Sequence, residues 1–336
     1  MRSVLIGPGA IGGTVATLVT EAGFDLDVVC SNEKTAQKLR EEGFHLTGFN
    51  GEHRVKLKAY ASIDELEGEY DICIIATKVH VMPALAEKML PYLKDDSLVV
   101  CMQNGICIDM LAAVVGESRA VGCMIGFGAT MLAKGEVNMT SGGEFIIGMN
   151  KGCGSPKLEY LQKMMSAVLP TKITDNIVGS LFSKLIINCC INSLGAATGS
   201  TLGLTLKNPK ARDIFLGIAK EGITVAQKMG IKVPPFNGIL EYRLLLVSDW
   251  GPYRSLLKTI FRIIGTLKYS DVKVSMLQSL ERGEKTEIDI LNGYIAKKGA
   301  ECGVPTPVNS QVAQIIRDIE QGKRSMTMDN LLDIVL

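Results

Sequence analysis

The stretch VLIGPGAIGGTVATLVTEAG, residues 4–23, decides how the first half of the chain reads. Val4, Leu5 and Ile6 form an apolar run that enters three glycines spaced G-x-G-x-x-G, at Gly7, Gly9 and Gly12. The string alone is weak evidence, but its setting is the one a dinucleotide site requires: a strand before it and a helix after it. There Gly7 makes the tight turn, Gly9 lets the backbone approach a pyrophosphate, and Gly12 lets helix and strand pack closely. Gly7, Pro8, Gly9, Ala10, Ile11 and Gly12 are therefore the expected cofactor loop, with phosphates at the helix N-terminus. The competing reading is a purely structural turn.

The tip of the second strand reports on the cofactor. NAD sites place an acid there to accept from the ribose 2′-hydroxyl. This chain has Val29-Cys30-Ser31-Asn32, with Glu33 late and Lys34 behind it. A hydroxyl, an amide and a lysine suit a 2′-phosphate, so Ser31 points to NADPH over NADH. Ser31 or Asn32 as a simple helix cap is the plainer alternative.

Beyond the opening, the pattern predicts strands over 4–7, 26–30, 72–77 and 98–102, with shorter ones at 120–124 and 145–148. Helices are predicted over 11–22, 33–42 and 81–93. This alternation, with continuous apolar strands, implies a parallel sheet covered on both faces. After about Pro170 the periodicity becomes helical, with helices over 177–195, 209–229, 272–279, 287–302 and 308–321. The expected organisation is a Rossmann-type α/β nucleotide-binding domain, residues 1–172, followed by an all-α domain, residues 173–336.

Composition narrows the function classes. The 336 residues carry a net charge of +1, which argues against general affinity for nucleic acid or anionic membranes. Nine cysteines, an odd number with most inside apolar runs, read as buried thiols of a reducing, cytoplasmic compartment. Met1 leads directly into a core strand, leaving no room for a signal peptide. Residues 185–206 lack charge over a membrane-spanning length, but Asn188, Asn192 and three glycines favour a buried helix running into a turn.

A second constellation is Lys184, Asn188 and Asn192, spaced four and four on one helix face. Between them lie Leu, Ile and Cys, so the polar stripe must find partners or face a cavity. The bland reading is a structural hydrogen-bond network. The chemical reading is that a lysine so placed becomes a proton donor near neutral pH. The three histidines, His45, His53 and His80, all lie in the nucleotide half, so Lys184 is the best-placed acid for a carbonyl oxygen. The lack of paired histidines argues against zinc. In a third patch, Glu287 and Asp289 open a predicted helix, where the dipole alone would explain both acids. Asn292-Gly293 inside that helix suggests close packing.

Together these motifs resemble the ketopantoate (2-dehydropantoate 2-) reductases over nearly the whole chain. The matches are the Gly7–Gly12 loop, Lys78 in IIATKVH, Gln103-Asn104-Gly105, the Lys184/Asn188/Asn192 helix, and the block from Ser275 to Gly293. The resemblance implies a helical second domain like that of 6-phosphogluconate dehydrogenase. It implies NADPH-dependent reduction of 2-dehydropantoate in pantothenate and coenzyme A biosynthesis. On it, Lys184 is the general acid, and Glu287 binds substrate and orients that lysine. Asn188, Asn192 and Ser275 hold the substrate, while Lys78 and Asn104 lie by the cofactor's ribose and nicotinamide, with Asn104 also facing substrate. The site is expected between the domains, in a homodimer that takes a small 2-oxo acid and no metal.

The chain departs from the family pattern in four places, one of them near Leu202, where the family has an asparagine downstream of the helix. Ser31 stands where many members have arginine, and Ser279 where aspartate is common. Residues 240–269, with Arg243, Trp250, Arg254, Lys258 and Arg262, look like extra length. That segment reads either as a surface hairpin or dimer contact, or as a lid reshaping the pocket for another 2-oxo acid or imine. A sensor that holds NADP(H) without turnover would have no use for Lys184 and Glu287.

Overall fold

The computed structural model describes residues 1–152, 154–235, 241–246, 251–268 and 270–336. The chain divides into two compact units, Met1–Leu181 and Phe182–Leu336. The division falls inside one helix, later than residue 172. The cause is local: Ile177 and Leu181 of that helix sit against Gly122, where any side chain would collide with them. The helix's first turn therefore belongs to the α/β unit.

The first unit is built on strands β1 (Ser3–Ile6), β2 (Leu26–Val29), β3 (Phe44–Gly48), β4 (His53–Val55), β5 (Lys58–Tyr60), β6 (Tyr70–Ile75) and β7 (Leu93–Cys101). These are followed by β8 (Ala120–Ile125), β9 (Gly128–Ala133), β10 (Glu136–Ser141), β11 (Phe145–Met149) and β12 (Thr171–Ile173). Its helices are α1 (Ala10–Glu21), α2 (Glu33–Glu41), α3 (Met82–Met89), α4 (Ile108–Val115) and α5 (Pro156–Met165). Eight strands form one sheet in the order β12-β11-β8-β7-β6-β1-β2-β5. The core from β8 to β5 is parallel, as the continuous apolar runs require, while β11 joins antiparallel to β8. All four residues of β1, and all six of β6, are buried.

The sequence reading missed the second sheet, β4-β3-β10-β9. Its strands are short, and β10 pairs in parallel with β3 across some ninety residues of chain, a partnership no local pattern announces. This sheet explains α1. That helix is buried from Gly12 to Val19, because it packs on both sheets. Gly13 touches the Phe44 ring of β3 so closely that a Cβ would lie 2.0 Å from it.

The second unit contains most of α6 (Ile177–Thr198), then α7 (Leu202–Lys207), α8 (Pro209–Lys228), α9 (Arg243–Leu246), α10 (Gly251–Lys268), α11 (Ser275–Glu281), α12 (Asn292–Cys302) and α13 (Pro307–Glu320). The uncharged stretch resolves as predicted: α6 is a core helix, with 83% of its apolar window buried, and a turn leads into α7. Two other expectations are corrected. The helix expected over 272–279 begins only at Ser275: Val274 is extended at φ −71°, ψ 153°, and the Val272 carbonyl accepts from the Leu202 N–H. The helix expected over 287–302 is broken. A 3-10 turn spans Ile288–Ile290, Leu291 leaves helical geometry at φ −102°, ψ −102°, and α12 starts at Asn292. Asn292-Gly293 thus opens a helix and does not interrupt one.

Of the segment 240–269, α10 is anchored on its own unit. Arg254 and Lys258 hold Asp213 of α8 at 2.8 and 2.6 Å, and Phe261 stacks on Phe215 at 4.6 Å. Leu240, Trp250 and Tyr269 lie outside the described residues, as does the side chain of Arg243.

Candidate active site

In the first unit, the predicted cofactor residues all follow the carboxyl ends of parallel strands: Gly7–Gly12 after β1, Ser31 after β2, Lys78 after β6 and Asn104 after β7. β1 leads to β2 on one side and pairs with β6 on the other. That reversal of strand order is where open α/β sheets bind ligands. The three glycines differ in what surrounds them. Gly7 has φ +91°, and a Cβ there would come within 2.6 Å of Thr77. A Cβ on Gly12 would lie 2.2 Å from the Gly7 carbonyl. A Cβ on Gly9 would meet no protein atom within 4 Å. Gly9 therefore borders open space.

The N-terminus of α1 has no capping side chain and no acid in its first turn, so its N–H groups suit a phosphate. Gln103 is 8% exposed; its amide donates to the Ile75 and Thr77 carbonyls at 2.9 and 3.1 Å. Its Oε1 is buried without a hydrogen-bond partner. An open cradle at Gly9, an uncapped helix end and a buried amide acceptor all fit a dinucleotide.

At the β2 tip, Asn32 is the cap of α2, accepting from the Thr35 N–H at 2.9 Å and donating to the Ser31 hydroxyl at 3.1 Å. Glu33 is paired with Arg40 on its own helix. Capping is therefore real, and Ser31 remains exposed beside it.

In the second unit, α6 carries Lys184, Asn188 and Asn192. Both asparagines are buried and Lys184 is half-buried. Asn192 accepts from the Ser275 hydroxyl at 3.2 Å. The approach depends on Gly195, one turn along α6, where a Cβ would strike Val274 at 2.6 Å. Glu287, half-buried, stands immediately before the 3-10 turn. Asp289 is turned to Arg317, which grips it through Nε and Nη2 at 2.9 and 2.8 Å, so a partner and not the helix dipole accounts for it.

Two partners of α6 were not legible in the sequence: which atoms Asn292 would reach, and Tyr242 altogether. Asn292, fully buried, donates to the Cys189 carbonyl at 3.2 Å and to Asn309 Oδ1 at 3.0 Å. Tyr242, 1% exposed, donates to the Ser183 carbonyl and accepts from the Ser183 hydroxyl at 3.4 Å. Eight cysteines among the described residues are free, and burial pushes the Cys73 and Cys101 thiols up to about 12.

Comparison with known proteins agrees with this arrangement. Residues 4–152 match the family model "Ketopantoate reductase PanE/ApbA", and residues 176–320 match its C-terminal counterpart. The chain belongs to the ketopantoate reductase family. Like the family, it is an oxidoreductase of the 2-dehydropantoate 2-reductase class, using a nicotinamide dinucleotide. A 2-dehydropantoate 2-reductase from Mesorhizobium japonicum is 26% identical over 94% of this chain and 97% of its own length. Two solved structures share the fold. D-mandelate dehydrogenase with NADH and anilino(oxo)acetate has a TM-score of 0.79 at 21% identity, over 96% of this chain and 99% of that one. A dimeric ketopantoate reductase from Staphylococcus aureus has a TM-score of 0.73 at 18% identity, over 96% and 100%.

Proposed function

We propose that this ketopantoate reductase family member reduces the 2-oxo group of 2-dehydropantoate to pantoate with NADPH, in the cytoplasmic supply of pantothenate and coenzyme A. The carrying observation is the polar stripe on α6, where Asn192 is already hydrogen-bonded to Ser275 beside Lys184 and Asn188 on a buried helix. The nicotinamide supplies the hydride. Lys184 donates a proton to the ketone oxygen as negative charge develops there, and its ammonium stabilises that charge first. The lysine is then reprotonated from solvent. Asn188, Asn192 and Ser275 hold the carboxylate and hydroxyl of the substrate, and Glu287 orients both substrate and lysine. Gly7–Gly12, Lys78 and Asn104 hold the dinucleotide, with Ser31 at the ribose 2′-phosphate.

A second reading keeps the chemistry and changes the acid. The additional segment supports a bulkier 2-oxo acid, and so does the fold shared with D-mandelate dehydrogenase, an enzyme solved with an aromatic oxo acid. A homodimer is also proposed. Leu256, Ile260, Ile263 and Leu267 form an exposed apolar row along α10 that a second copy would cover.

The test is NADPH and NADH oxidation with 2-dehydropantoate beside a panel of aliphatic and aromatic 2-oxo acids. Preference for 2-dehydropantoate supports the first reading, and preference for an aromatic acid supports the second. Turnover of none refutes both. Lys184→Ala should lower kcat by about 10²–10⁴-fold while sparing nucleotide binding.

A further inference from the structure

We infer that Tyr242 is a positioning residue for the proposed general acid, Lys184, acting through the main chain of α6; the inference rests on the reading of Lys184 given above. Tyr242 lies in the segment 240–269, which the sequence reads as extra length. Its phenol is almost wholly buried and donates to the carbonyl of Ser183, the residue immediately before Lys184.

A buried phenol needs a partner, and any acceptor would serve stability. The choice of acceptor is what carries meaning. The Asn292 amide takes the Cys189 carbonyl, the residue immediately after Asn188. The two donors therefore bracket the turn from Lys184 to Asn188. Residues 183 and 189 are six apart, so at 3.6 residues per turn their carbonyls are about 120° apart around the helix. Two donors from different sides fix both the roll and the height of that turn.

The two donors have different origins. Asn292 lies in the block from Ser275 to Gly293 on which the family resemblance partly rests. Tyr242 lies in the segment 240–269, whose helix α10 is anchored to Asp213. The segment is thus joined to the lysine-bearing helix as well as to α8. A donor held within a few tenths of an ångström delivers its proton at the moment hydride arrives, and a looser one does so less often.

The experiment compares Tyr242→Phe with the wild type in steady-state turnover, together with Lys184→Ala and the double variant. The control is Tyr160→Phe, which removes a remote phenol bonded to the Met1 carbonyl at 3.3 Å. Tyr242→Phe is expected to lower kcat about tenfold, leave the KM for NADPH unchanged and raise the solvent isotope effect on kcat. In the Lys184→Ala background it should cost nothing further, because it acts through that lysine. Thermal melting reports any loss of fold separately, and the Lys184→Ala background subtracts it from the rate. Unchanged kcat and isotope effect in Tyr242→Phe, or an equal loss with and without Lys184, overturns this inference alone. Wild-type rates in Lys184→Ala overturn the lysine reading and this inference with it.

Discussion

The Ser275 hydroxyl donates to the Asn192 amide oxygen across 3.2 Å, joining residues 83 positions apart in the chain. The contact orients the asparagine, and on the proposed reading this directs its other hydrogen-bonding atoms before substrate arrives. Such preorganisation lowers the entropic cost of binding. Asn192→Ala and Ser275→Ala should each raise the KM for the 2-oxo acid about tenfold or more. The double variant should do little worse than the more damaging single one, since the two act as a unit. Equal, additive effects in a double-mutant cycle would separate the two roles.

Gly195 sets that contact from one turn away. Gly195→Ala places a methyl 2.6 Å from Val274 and must push α11 back. A loss of about 1–3 kcal/mol in urea unfolding is expected, as for other overpacked positions. The KM for the oxo acid should rise with it, because Ser275 is the next residue after Val274.

Gly9 and Gly12 should part company when each is changed to alanine. At Gly9 the new methyl meets no protein atom, so the melting temperature should hold while dinucleotide affinity falls at least tenfold. At Gly12 the methyl meets the Gly7 carbonyl at 2.2 Å, so the fold itself should weaken, by about 1–3 kcal/mol or more. Calorimetric titration with NADPH, alongside thermal melts, separates the two.

On the proposed reading, cofactor choice turns on the β2 tip. Ser31→Asp supplies an acceptor for a ribose 2′-hydroxyl and repels a 2′-phosphate. The ratio of kcat/KM for NADPH to that for NADH should fall at least tenfold. An unchanged ratio would show that Ser31 does not face the ribose.

Acid stability should depend on Asp71. Burial works to raise its pKa. Lys94 at 2.8 Å, the Arg2 main-chain N–H at 3.0 Å and Lys157 at 3.1 Å outweigh burial and hold the carboxyl down at about 2. A carboxylate depressed in the folded state stabilises it above its unfolded pKa of about 4, and that contribution is lost as pH falls toward 2. Asp71→Asn should cost about 1–2 kcal/mol at neutral pH and flatten the stability profile between pH ~4 and ~2. Urea midpoints measured across that range check both.

Much of the architecture was legible from local pattern. The strand–glycine–helix opening, the alternation after it and the change to helical periodicity each depend on a few neighbouring residues. The second sheet was not legible, because β10 and β3 are short and their pairing is distant. Nor was the break at Leu291, where the apolar spacing stays helical while the backbone does not.

The sequence by itself determined which side chains share the α6 face, since that follows from helical period alone. It also determined that Gly7, Gly9 and Gly12 form one turn. Only the tertiary structure decided which of those glycines faces open space, and what holds α6 in place. Tyr242 and Asn292 reach Ser183 and Cys189 across 59 and 103 residues, and hydrogen bonds over such separations follow from packing and leave no periodic trace in the chain.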